Sequence, residues 1–210
     1  MGVVRPPRPV NLICGLMSND PDLMARAVRL LQQHQGPTDA VSDLWPFDTT
    51  DYYAVEMGDD LQRQFISFER LIDPGQLAGI KLLTNTLEQR VCHDVGLPEH
   101  QRRVNLDPGY ISLSKLVLAT TKDYSHRVYV GSGIYAEATL HYENGRWTAW
   151  PWTYPDYAGP RYHAFFDRVR EGYKAKLNVP EGGQDTRPPI ERYKAKLNAP
   201  PPAGQGSIEP

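Results

Sequence analysis

Two charged stretches carry the residues best suited to chemistry. Lys122-Asp123-Tyr124-Ser125-His126-Arg127 packs two cations, a carboxylate and a titratable imidazole into six consecutive positions. On either side, residues two apart along an extended chain share a face. Asn105 pairs with Asp107, Arg127 with Tyr129, and Tyr135, Glu137, Thr139 and His141 form a third set. If those faces converge, Lys115, Lys122, Asp123, Arg127 and Tyr135 form a ligand-binding group, and Asp107, His126 and Glu137 are the candidate catalytic residues. Such a set suits an anionic small molecule, a nucleotide or a phosphorylated metabolite. The carboxylates suit proton transfer or a divalent metal. The competing reading is a solvated sheet face with salt bridges across its strands.

Several chemistries lack their residues. Glu137 and His141 stand four apart on a strand, about 13 Å, so they do not chelate one metal together. Neither HExxH nor paired CxxC occurs, which argues against a structural zinc site. Ser112, Ser114 and Ser125 lack a GxSxG elbow, so a serine hydrolase has no support. The two cysteines, Cys14 and Cys92, sit in apolar or helical surroundings and read as buried thiols.

The elements that must position these groups follow from spacing. The apolar run 11–17 is a strand. Asp20-Pro21 caps a helix whose Leu23, Ala27, Leu30 and Leu31 form one stripe, ending at Gly36-Pro37. Residues 40–47 read as a strand. Residues 50–57 and 61–71 read as a hairpin around Gly58-Asp59-Asp60. Asp73-Pro74-Gly75-Gln76 opens a second helix with a capping box, carrying Leu77, Ile80, Thr84, Leu87 and Val91. Strands are expected at 104–111, 115–121, 127–130, 134–142 and 147–150, with a hairpin at Asn144-Gly145. A closing helix spans 162–177. The fold class is α+β: a two-layer sandwich with a mostly antiparallel sheet and three main helices.

Residues 1–177 make a single domain on this reading, and 178–210 a disordered Pro/Gly-rich tail. The tail repeats part of the closing helix: EGYKAKLNVP at 171–180 recurs as ERYKAKLNAP at 191–200. A local duplication accounts for it better than a partner-binding helix. No apolar run reaches the ~18 residues of a membrane span, and MGVVRPPRPV has no apolar signal core. A cytoplasmic location is the expectation. The formal net charge of -2 sets up no basic field, which argues weakly against RNA.

Trp147, Trp150, Trp152, Tyr154 and Tyr157 crowd one short span. They read as cover for one end of the sheet, or as the contact loop of a protein-interaction module.

The segments PVNLICGLMSNDPDL (9–23), FDTTDYYAVEMG (47–58), RRVNLDPGYISLSKLVLATTKDYSHRVYVGSGIYAEATLHY (102–142) and PWTYPDY (151–157) together resemble an uncharacterised prokaryotic family catalogued as domain of unknown function 4416. The resemblance covers roughly residues 8–177. Members of that family are sometimes labelled GTP-binding, which implies a nucleotide ligand. The chain holds no GxxxxGK[ST] loop to wrap phosphates. Thr121-Lys122-Asp123-Tyr124 has Tyr where a base-reading [NT]KxD motif needs Asp, and Asp107-Pro108-Gly109-Tyr110 is not DxxG. A conventional GTPase is therefore not expected, and the cofactor stays open.

Overall fold

The computed structural model describes residues 4–48, 54–97 and 102–178. The chain divides into two units: Arg8–Asn178, and residues 1–7 with 179–210. The expected tail lies outside the described residues, except for Asn178.

β1 (Val10–Ser18) is an interior strand of the sheet, and all nine of its residues are buried. It pairs antiparallel with β4 (Gln62–Ile72) on one side and β5 (Val104–Ile111) on the other. Alternate β1 side chains serve two cores. Leu12, Cys14 and Leu16 pack with α1 (Pro21–Gln35) and α3 (Leu77–His93). Ile13 packs with Phe65 and with α4 (Pro160–Asn178). An all-buried strand is the expected result when helices cover both faces.

The sheet has nine strands, in the order β2 (Thr38–Val41), β4, β1, β5, β6 (Lys115–Thr120), β8 (Ile134–Glu143), β7 (Val128–Gly131). β3 (Trp45–Pro46) adds to β4, and β9 (Arg146–Ala149) to β8. Every pairing is antiparallel. The chain is thus an α+β sandwich with three main helices, as the pattern of elements implied. No helix among the described residues is long and apolar enough to cross a membrane.

The helix starts follow their caps. Asp20 accepts from the Asp22 and Leu23 amides at 2.9 and 3.2 Å. Asp73 and Gln76 exchange the two bonds of a capping box ahead of α3. The expected hairpin of 50–57 with 61–71 does not form. Ala54–Met57 is a short helix, α2, and β4 spends its hydrogen bonds on β1, β2 and β3. Residues 50–53 lie outside the described residues. The single strand expected over 40–47 is two short ones, β2 and β3.

One interruption in the sheet creates the site. The β5–β6 ladder runs through Ile111–Leu116, Tyr110–Val117 and Gly109–Leu118, then stops. The next pair in register is Pro108 with Ala119. Proline has no N–H to give the ladder, so the strands diverge from that point. At the last rung they are close: a Cβ on Gly109 would lie 2.5 Å from the Val117 carbonyl. Beyond it α3 caps the freed edge of β5. Glu88 Oε1 accepts from the Leu106 N–H at 2.6 Å, and Lys81 Nζ donates to the Leu106 C=O at 2.9 Å. Leu77 and Ala78 of the same helix pack on Val117, Ala119 and Ile134. The sheet is forked, and α3 holds both prongs.

Candidate functional site

A cavity of about 1310 Å³ occupies the fork. Its walls come from β4, β5, α3, β6 and β8, and from the loops around Lys122 and Tyr154. At its floor lies Arg63 of β4, only 3% exposed. Diagonally across from it on β1 is Gly15, where a Cβ would come within 3.1 Å of Arg63 Nη1; glycine leaves room for the guanidinium to lie over the sheet. The guanidinium rests on Phe47, 4.9 Å from the ring centroid. Its one ionic partner among the described residues is Asp107 Oδ2 at 3.6 Å, and Met17 Sδ lies 3.9 Å from Nη2. Nε and Nη1 have no hydrogen-bond partner among the described residues. A buried guanidinium with open donors is uncommon, because unmet donors carry a desolvation cost.

Asp107 is shared. Lys81 Nζ reaches its Oδ1 at 3.3 Å, and Asn105 Nδ2 donates to its Oδ2 at 2.6 Å. Burial works to raise this carboxyl, but Lys81, Arg63 and Asn105 outweigh burial and hold it below its usual range. Further along the wall Arg102 links three elements: to Glu56 of α2 at 2.9 Å, to Asn105 of β5 at 2.7 Å and to Glu88 of α3 at 3.4 Å.

Glu88 is 6% exposed, and burial pushes its pKa up to about 7, against the pull of Lys81, the Leu106 amide and Arg102. The sign follows. An acid whose folded pKa lies above its unfolded one favours folding when protonated, so stability is lost as pH rises from the unfolded value of 4.5 to about 7. Glu88→Gln keeps an acceptor for Leu106 and removes the charge. At pH 8 it is expected to be more stable than wild type by about 1–3 kcal/mol, with no gain at pH 4. Urea denaturation at the two pH values checks this.

Of the residues proposed from sequence, Asp107, Lys122, Arg127 and Glu137 line this one cavity. Arg127 and Glu137 are chiefly a strut. Arg127 donates from Nε to Glu137 Oε2 at 2.8 Å, from Nη1 to the Lys122 carbonyl at 3.0 Å and from Nη2 to Tyr154 Oη at 3.2 Å. Thr139 Oγ1 donates to the other Glu137 oxygen at 3.1 Å. His126 touches Glu137 Oε2 at 3.3 Å from outside the cavity and stacks on Trp152, with 5.4 Å between centroids. Asp123 is exposed in the turn after β6. Lys115 is exposed at the far end of β6, opposite His141. Tyr135 packs edge-on against Tyr129. Among the described residues no three His, Cys, Asp or Glu side chains form a metal-ligand set. The aromatic span divides: Trp147 and Tyr157 are core, while Trp150 and Trp152 stack at 5.3 Å on the surface.

Sequence reading did not find Arg63, Lys81, Glu88 and Arg102. One signal was present for α3. Lys81, Thr84 and Glu88 fall at helical spacing within its buried stripe, where apolar residues belong. Asn85, one position from Thr84, lines the cavity.

No curated protein and no solved structure matches the chain. A family profile described as Domain of unknown function (DUF4416) matches residues 8–173. That span takes in every strand, both prongs of the fork and the cavity walls described above; the chain belongs to the DUF4416 family.

Proposed function

We propose that the fork cavity binds an anionic small molecule of the size and charge of a nucleotide or a phosphorylated metabolite. One observation supports this reading: Arg63, nearly fully buried, lines the cavity with Nε and Nη1 making no hydrogen bond among the described residues, and with only the 3.6 Å ion pair from Nη1 to Asp107 to offset its charge. A planar fork of donors matches a phosphate or carboxylate edge. Burial of the guanidinium against Phe47 lowers the effective dielectric there and strengthens the attraction. Lys81 and Asn105 hold Asp107 in place, so an arriving anion does not need to dislodge it. The cavity volume accommodates a ligand of that class.

The test is thermal unfolding in the presence of inorganic phosphate, nucleoside phosphates and sugar phosphates, with and without Mg²⁺. A ligand at one hundred times its Kd stabilises the fold by about 2.7 kcal/mol. Arg63→Met is expected to remain folded, since Asp107 keeps its ion pair with Lys81 and is not left as an uncompensated buried charge, and to lose that shift. A wild-type chain that responds to no anion, or an Arg63→Met chain that responds as wild type does, would overturn the reading.

A further inference from the structure

Most charges lining the fork cancel in pairs. Lys81 is matched by Asp107, Arg102 by Glu56 and Glu88, and Arg127 by Glu137. Arg63 shares Asp107 with Lys81, so two cations have one carboxylate between them; a further carboxyl, Asp156, lines the same cavity and has no ion pair among the described residues. It is half-buried, and its Oδ1 accepts the Tyr157 N–H at 3.0 Å. Burial raises its pKa, and the field of Arg63 opposes that rise.

A third open group comes from the backbone. Along β6, alternate residues present N–H and C=O to the same edge. Lys115 C=O accepts from Ser112 N–H on the β5 side at 2.9 Å, and Val117 pairs with Tyr110. Ala119, two further on, therefore faces β5 as well. Its ladder partner is Pro108, which has no hydrogen to offer, so the Ala119 carbonyl lacks its strand donor at the cavity wall. The cavity thus combines a guanidinium with spare donors, a carboxyl without an ion pair among the described residues, and a backbone carbonyl without its strand donor.

Resting on the anion-binding reading above, we infer that the cavity selects an anion that also carries an amino group, its negative end on Arg63 and its N–H hydrogens on the Ala119 carbonyl and Asp156. A site whose buried acceptors need those hydrogens discriminates strongly against an analogue without them. The amino group has two chemical sources, the exocyclic amine of a nucleotide base or the ammonium of a phosphorylated amino acid.

Two probe pairs separate these sources by calorimetry on the full chain: AMP against IMP, and O-phospho-L-serine against 3-phosphoglycerate. The amino member of one pair is expected to bind at least about tenfold tighter than its partner. Asp156→Ala is expected to bring that ratio below about threefold while the deaminated partner binds as before. In ¹³C spectra the Ala119 carbonyl is expected to move with the amino member alone. Equal binding within both pairs overturns the inference and leaves the anion reading standing. A preference that survives Asp156→Ala and leaves the Ala119 carbonyl unmoved overturns the residue assignment. Failure of all four probes and of inorganic phosphate removes both readings.

Discussion

Phe65→Ala is expected to destabilise the fold by about 3–5 kcal/mol, the range for truncating a fully buried aromatic. Phe65 has no exposed surface. Five rings meet it: Trp45, Tyr157, Tyr162, Phe165 and Phe166, at centroid distances of 6.3, 5.8, 4.8, 5.8 and 5.3 Å. These rings come from β3, from the loop before α4 and from α4 itself. One side chain on β4 therefore joins the sheet to the helix that covers it. Edge-to-face and stacked contacts add to the burial term, and the surrounding rings are too rigid to collapse into the space left. Urea denaturation monitored by near-UV circular dichroism measures the loss. A cost under about 1 kcal/mol would mean that the rings repack, as volume-tolerant cores do.

Asp107→Ala is expected to be of similar size, about 3–5 kcal/mol, for an electrostatic reason. The carboxylate compensates Lys81 and Arg63, whose residues are 6% and 3% exposed. Removing one partner of a buried ionic set leaves uncompensated charge in a medium that solvates it poorly. The pH profile identifies the cause. A carboxyl held below its ordinary value contributes stability that is complete above its unfolded pKa and disappears as pH falls through the folded one. The gap between wild type and Asp107→Ala should thus be full at neutral pH and shrink under acid. Adding Arg63→Met to Asp107→Ala should recover part of the loss, since the pair is coupled. A gap independent of pH, or strict additivity in the double variant, would show that Asp107 acts through packing.

The local signals in the chain were reliable where one element sufficed. The Asp20-Pro21 and Asp73-Gln76 caps mark α1 and α3, and the segments expected as strands at 104–111 and 115–121 are β5 and β6, the second ending at Thr120. Partner choice was not local. β4 alternates in a manner compatible with a hairpin to its predecessor, yet it pairs with β1, some fifty residues away, because the register of a strand is set by the core it faces. The site shows the same division. Asp107 and Glu137 announce themselves as polar positions on strands, and both reach the cavity. Arg63 does not, because in Gln62-Arg63-Gln64-Phe65 its neighbours are polar as well and the strand reads as solvated there. His126 is adjacent to Arg127 in sequence but turns to Trp152 on the surface. Pro108 stood in the sequence only as one residue of the expected strand 104–111. Its effect is to withhold one hydrogen from Ala119, and that requires knowing which strand lies opposite.

The interior place of β1 has a consequence for synthesis on the ribosome. Its two neighbours, β4 and β5, end at Ile72 and Ile111, so the first strand to be made waits for roughly a hundred residues before both its edges are occupied. At translation rates of about 5–20 residues per second, that wait lasts on the order of five to twenty seconds. Ile13, Phe65 and Ile111 wait longer still, since α4 lies further along the chain. During that interval the nascent chain carries an apolar sheet face that α4 has yet to cover, the kind of transiently exposed surface from which aggregation starts.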